Sequence, residues 1–173
     1  MTDCRFLFQS ATKISIIIPA YNEEDRILPL LQKLATLQTP SEAIELIIVD
    51  DGSSDRTSNL CRQEIEHQFP RGKLITLEKN RGKGNALRTG VAAVSSPVVI
   101  TMDADMATDL SAMEPAIKGL QEHHIVVGSR SIKGSQTQGT TSARRFVTIG
   151  FSFLLRLLTR HKVSDTQCGF KAY

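Results

Sequence analysis

The stretch Ile14-Ser15-Ile16-Ile17-Ile18-Pro19-Ala20-Tyr21-Asn22-Glu23-Glu24 carries the architecture. Residues 14–18 form a short, largely β-branched run that stops at a proline. An apolar run without a regular polar alternation suits a strand covered on both faces, as in a parallel sheet. Directly behind it the chain turns polar and acidic. The same unit recurs outward from there. A second strand is expected over 44–49, delivering Asp50-Asp51-Gly52-Ser53-Ser54-Asp55. A third over 74–77 leads to Asn80-Arg81-Gly82-Lys83-Gly84. A fourth over 97–101 delivers Met102-Asp103-Ala104-Asp105, and a fifth over 125–127 delivers Gly128-Ser129-Arg130.

Between the strands the apolar spacing changes to that of helices. Ile27, Leu30, Leu31, Leu34 and Leu37 recur at intervals of three and four and share one helical face. Asp25 is the expected cap, and Pro29 is tolerable only near the start of such a helix. Ser54 or Asp55 is expected to cap a helix running to about residue 68. Further helices are expected over 85–94 and from Ser111 to about residue 120. Strands alternating with single helices imply a parallel sheet with right-handed crossovers. Residues 129–142, rich in Gly, Ser, Thr and Gln without an apolar period, read as a loop.

The 173 residues suit a single domain spanning 1–173, at roughly 100–200 residues per domain. A hydrophobic fraction of 40% excludes wholesale disorder. Lys and Arg number 21 against 18 Asp and Glu, and a net charge of +3 is too small for a general nucleic-acid binder. Cys4, Cys61 and Cys168 are far apart with no CxxC pair, which points to a reducing compartment without disulfides or zinc. Residues 1–13 lack the ~7–15 apolar residues of a secretory signal. No window offers the ~20 apolar residues of a membrane span. The nearest approach, 146–158, is short and carries Arg156. The chain is thus expected in the cytoplasm, with peripheral contact at a membrane surface.

In an open parallel sheet, ligands bind at the carboxyl ends of the strands. Here those ends carry carboxylates, which repel one another unless a cation compensates. Asp103 and Asp105 fall on the same side of an extended Asp-x-Asp segment, so both can face one ion. Such oxygen ligands suit Mg²⁺ or Mn²⁺ bound together with substrate phosphates. A lone Asp-x-Asp reads more simply as a helix cap; the other acidic strand ends favour the ion. Asp50 and Asp51 can accept hydrogen bonds from a base and ribose. Tyr21 can stack on a base or line the core edge. Gly82-Lys83-Gly84 can offer N–H groups and a positive charge to phosphate, although the GxxxxGK[ST] spacing is missing. The first turn lacks GxGxxG, the four histidines show no triad or metal spacing, and no GxSxG elbow is present.

Taken together, residues 16–24, 49–55 and Asp103-Ala104-Asp105 resemble the inverting glycosyltransferases of family 2, which have the GT-A fold. Gly128-Ser129-Arg130 and Asp165-Thr166-Gln167-Cys168-Gly169-Phe170-Lys171 are similar to the branch that acts on dolichyl and other polyprenyl phosphates, the glucosyl type more closely. The resemblance implies an α/β, Rossmann-like GT-A domain with a mostly parallel central sheet flanked by helices. It implies a hexosyltransferase moving a hexose, glucose by the closer likeness, from a nucleotide-diphosphate sugar such as UDP-glucose to a polyprenyl phosphate with Mg²⁺ or Mn²⁺. Position by position, Pro19, Tyr21, Glu23, Asp50 and Asp51 would hold the nucleotide. Asp103 and Asp105 would hold the metal and diphosphate. Arg130 and Lys171 would meet phosphate. Asp165 would lie near the transferred sugar or acceptor and, with Asp105, is the catalytic candidate.

A phosphate monoester has its second pKa near ~6, so the acceptor oxygen is already anionic and needs no strong base. Arg144 and Arg145, ahead of the apolar 146–158, suit an interfacial helix and can grip a lipid phosphate; the same helix can instead pack on the sheet. Members of the family usually continue past the last motif, so a core shortened at its C-terminus is expected, with a second copy or lipid covering the exposed edge. Two other readings are a donor-binding partner subunit without turnover, and a family 2 transferase for a polysaccharide. The latter is disfavoured by the missing QxxRW motif.

Overall fold

The structure, a computed structural model, describes residues 13–37, 43–106, 109–129 and 168–173. It contains one six-stranded sheet: β1 (Ile14–Ala20), β2 (Ile44–Asp50), β3 (Lys73–Thr76), β4 (Val98–Thr101), β5 (Val126–Val127) and β6 (Lys171–Ala172). The spatial order is β3-β2-β1-β4-β6-β5. β1 pairs in parallel with β2 and with β4, and β2 with β3. β6 is antiparallel to both of its neighbours. The expected mostly parallel α/β sheet is therefore present, but as a mixed sheet. The strand at Lys171–Ala172 inserts between β4 and β5, which the alternation of strands and helices alone does not foretell.

Among the described residues four α-helices flank the sheet: α1 (Glu24–Ala35), α2 (Thr57–Gln68), α3 (Lys83–Ala92) and α4 (Met113–Gly119). Alternate residues of β1 face opposite sides. Ile14, Ile16 and Ile18 join Ile27, Leu30, Leu31 and Leu34 of α1 in the larger core, which also takes in Met113 and Ala116 of α4. Ile17, Ile47 and Val49 face the other side, where Ala86 of α3 covers them. Cover on both faces is why the central strands read as nearly unbroken apolar runs.

Several boundaries differ from expectation. Asp25 lies inside α1, whose cap position is Glu23. Pro29 sits in the second turn rather than the first, where it forfeits one main-chain hydrogen bond. α3 begins two residues early, at Lys83. Ser111 belongs to a 3₁₀ turn, Leu110–Ala112, whose cap is the Asp109 carboxylate accepting from the Ser111 amide at 3.0 Å. The two described cysteines, Cys61 and Cys168, are buried and free. Among the described residues no helix is long and apolar enough to cross a membrane.

Candidate functional site

The C-terminal ends of β1 and β2 are stitched together by the polar residues behind them. Asn22 adopts a left-handed conformation, φ 52°. Its amide donates to Ser53 Oγ at 2.9 Å and its Oδ1 accepts from the Ser54 amide at 2.9 Å. The amides of Glu23 and Glu24, at the start of α1, donate to Thr57 Oγ1 and Asp55 Oδ2. Asp55 also accepts from the Thr57 amide at 2.9 Å while reaching α1 with its other oxygen; it thus supports the first turn of α2 from one residue before the cap position, which is Arg56 and not Ser54 or Asp55 as expected. Burial pushes the Asp55 carboxyl up, but these hydrogen bonds outweigh it and leave it below its ordinary value.

Asp51 performs the next link. Its two oxygens accept from the Arg81 amide at 2.9 Å and the Gly82 amide at 2.7 Å. This fixes the turn into α3 at Gly82, whose φ of 87° a residue with a Cβ rarely adopts. Lys83 opens α3, and its Nζ lies 2.6 Å from Asp103 Oδ1. Acidic groups behind β2 and β4 are thereby connected through a single loop. On its far side the Asp103 carboxylate packs against Gly169. A Cβ built there would overlap all three atoms of the carboxyl group. The Gly169 carbonyl accepts from Thr101 Oγ1 at 3.2 Å, holding the β6 approach against β4.

These residues surround a cavity of about 330 Å³, at the lower end of the ~300–1,000 Å³ typical of small-molecule sites. Pro19, Tyr21, Glu23, Arg26, Asp51, Asn80, Lys83, Asp103 and Asp105 line it together with small residues. Burial raises the Glu23 carboxyl above its ordinary value; Arg26 opposes the rise, and the charges of Asp105 and Asp103 add to it. The ends of β1 and β4 therefore act on one another electrostatically. Arg26 Nε lies 2.6 Å from Glu23 Oε2 as an i,i+3 ion pair.

Four carboxylates, Glu23, Asp51, Asp103 and Asp105, face two cations, Arg26 and Lys83, across the cavity. The formal excess of two negative charges equals the charge of one divalent cation. Among the described residues, no three His, Cys, Asp or Glu side chains are grouped so as to hold an ion by themselves. Mg²⁺-type ions are usually bound by one or two carboxylates with water and substrate phosphate completing the shell. Asp103 and Asp105 fit that mode and not an all-protein cage.

Of the residues singled out from sequence, Pro19, Tyr21, Glu23, Asp51, Lys83, Asp103 and Asp105 meet at this cavity. Asp50 does not line it. It is fully buried, its Oδ1 accepts from the Ser53 amide and hydroxyl, and its Oδ2 has no hydrogen-bond partner. Lys171 also lies off the cavity, its Nζ donating to the Cys168 carbonyl at 2.8 Å. The Gly82 amide, expected to face phosphate, is taken by Asp51. Arg130, Arg144, Arg145, Asp165 and the apolar stretch 146–158 lie outside the described residues. Arg26 and Asn80 line the cavity and were not singled out. Arg26, three residues after Glu23 on a helix, was discoverable as an i,i+3 charge pair.

The family profile for glycosyl transferase family 2 matches residues 15–173. Among curated proteins, the chain is 33% identical over 172 residues to dolichyl-phosphate beta-glucosyltransferase ALG5C of Trichomonas vaginalis, covering 92% of this chain and 51% of the relative. It is 33% identical over 183 residues to the dolichyl-phosphate beta-glucosyltransferase of Homo sapiens, covering 96% of this chain and 56% of the relative. The chain thus spans about half the length of the curated relatives it matches. Among solved structures, it resembles the mannosyltransferase PcManGT from Pyrobaculum calidifontis, in complex with GDP-Man and Mn²⁺, with a TM-score of 0.58 and 28% identity over 63% of this chain and 32% of the other. The arrangement is the GT-A one.

Proposed function

The chain belongs to glycosyl transferase family 2, and we propose that it transfers a hexose, glucose by its likeness to dolichyl-phosphate beta-glucosyltransferases, from a nucleotide-diphosphate sugar to a polyprenyl phosphate with inversion. The carrying observation is the meeting of Glu23, Asp103 and Asp105 with Lys83 and Arg26 around one cavity at the carboxyl edge of the sheet. Curated relatives bearing the dolichyl-phosphate beta-glucosyltransferase name support the donor and acceptor classes. A neighbour holding GDP-Man and Mn²⁺ supports the pairing of nucleotide sugar with divalent metal.

In this reading Pro19 and Tyr21 flank the base, and Asp51 shapes the wall through the loop it holds. Asp103 and Asp105 are the residues that would hold Mg²⁺ or Mn²⁺, whose contribution is charge stabilisation on the departing diphosphate. Lys83 and Arg26 supply the remaining positive charge next to it. The acceptor phosphate attacks the anomeric carbon in line; the carbon–oxygen bond to the diphosphate breaks as the new one forms. No strong base is needed, so positioning and electrostatics carry the rate. Asp165 is proposed beside the sugar or acceptor, and Arg130 and Lys171 toward phosphate. Arg144 and Arg145 are proposed to grip the lipid phosphate at the cytoplasmic face of a membrane.

The test is incubation with Mn²⁺, labelled UDP-glucose and a polyprenyl phosphate, followed by solvent extraction. Label in the lipid fraction, dependent on all three additions, is the expected result. Donor binding with no lipid-linked label overturns the transferase reading.

A further inference from the structure

Lys83 stands in an unusual place for a lysine. It is the first residue of α3, where the helix dipole disfavours a cation and favours an anion. Its ammonium nevertheless lies 2.6 Å from Asp103 Oδ1, and its side chain is half-exposed. The turn that aims it is not slack: Asp51 holds the amides of Arg81 and Gly82 immediately before it. Gly169 packs against the same Asp103 carboxylate, leaving no room there for a Cβ. Both partners of the ion pair line the cavity together with Asp105.

We propose that Lys83 is an exchangeable internal counter-cation: it neutralises Asp103 while the site holds no donor, and moves from that carboxylate to the diphosphate when metal and nucleotide arrive together. The inference rests on the functional reading above and deepens it. A unit positive charge parked on Asp103 competes with a divalent cation for the same oxygen. Metal affinity is thereby kept low until a diphosphate offers the ammonium a better partner at a helix N-terminus. Metal and nucleotide then bind cooperatively, and by linkage each raises the affinity of the other by the same factor.

The experiment measures Mn²⁺ binding by electron paramagnetic resonance, without acceptor or turnover, on the full chain alone and with UDP. The native chain is expected to bind Mn²⁺ weakly alone and more tightly with UDP. Lys83→Met removes the charge and keeps the length. It is expected to bind Mn²⁺ alone about tenfold more tightly, as one like charge leaves a half-exposed site, and to lose most of the gain from UDP. Lys83→Arg is expected to keep the native pattern. A Lys83→Met chain that melts like the native protein and binds Mn²⁺ alone within twofold of it overturns the proposal. If that variant melts early, the native chain is read instead. Mg²⁺ without nucleotide must shift the Lys83 side-chain resonances, and unchanged resonances at saturating Mg²⁺ overturn the exchange. Native UDP and Mn²⁺ binding with no effect of Lys83→Met defeats this inference and leaves the transferase reading standing. Failure of every form to bind Mn²⁺, with or without UDP, defeats both.

Discussion

The two ends of the same sheet treat buried carboxylates in opposite ways. At the N-terminal end, Glu45 of β2 is 1% exposed, and partners converge on both its oxygens. Ser15 Oγ on the adjoining strand and the Ser95 amide donate to Oε2; Lys73 Nζ and Ser95 Oγ donate to Oε1, at 2.7 and 2.9 Å. Burial pushes this carboxyl up, but the bonds from Lys73, Ser15 and Ser95 prevail and hold it at about 2. At the C-terminal end, burial and the charges of Asp105 and Asp103 raise Glu23 despite its ion pair with Arg26, and the buried Oδ2 of Asp50 has no hydrogen bond. A buried acceptor left unpaired costs stability. One end has satisfied its carboxylate; the other holds Glu23, Asp103 and Asp105 in reserve around a cavity, where a bound cation would relieve their mutual repulsion.

The largest expected effect breaks the reserve end. Asp105→Ala should lower metal-dependent transfer by at least about 10²–10³-fold, the scale of losing a principal electrostatic stabiliser. The melting temperature should move by only about 2 °C, because Asp105 is exposed. Unfolding of that variant would show instead that the residue serves the fold. The next effect breaks the satisfied end. Glu45→Ala strands a buried hydroxyl and a half-exposed ammonium and should cost roughly 2–3 kcal/mol in urea melts, with UDP affinity unchanged.

Gly169→Ala should couple the two measurements. The added methyl overlaps the Asp103 carboxyl group, so donor and Mn²⁺ binding should weaken about tenfold, with roughly 1–2 kcal/mol of destabilisation from overpacking. The smallest effect is in pH. Glu45 is depressed in the fold, so its contribution is present above the ordinary value of 4.5 and disappears as pH falls from there toward about 2. Glu23 is raised, so its contribution has the opposite sign. Stability declines as pH rises from 4.5 through its elevated folded value. Urea melts of Glu45→Gln and Glu23→Gln across pH 2–7 should therefore deviate from the native curve in opposite directions.

What was legible followed from local pattern. The runs of β1 and β2 announce strands buried on both faces, and the acidic clusters directly behind them announce the edge on which a ligand would sit. Asp103 and Asp105 could be named because they follow an apolar strand directly with one residue between them, although the chain turns at Ala104 and Asp105 instead of running extended as expected. Contacts between distant segments left no such trace. Nothing near Lys83 indicates that its partner is Asp103, or that both oxygens of Asp51 would accept from the Arg81 and Gly82 amides. Phe170 and Ala172 are buried around the less buried Lys171, an alternation with period two, but so short a segment gives too little pattern to declare a strand. The misplacement of Pro29 has a simpler cause: tertiary packing of Ile27, Leu30, Leu31 and Leu34 extends α1 on both sides of a residue that local propensity would put at its start.

The late strand β6 also dictates an order of assembly. β5 is paired with β6, and the bond from Thr101 to Gly169 joins residues 68 apart in sequence. Closing so long a loop is entropically slow relative to zipping β1, β2 and β3. While a ribosome is still synthesising the chain, the β4 edge stays open to unwanted strand partners until residues 168–173 emerge. The contact of Gly169 with the Asp103 carboxyl group depends on the same docking of residues 168–173, which ties one wall of the cavity to the covering of the β4 edge.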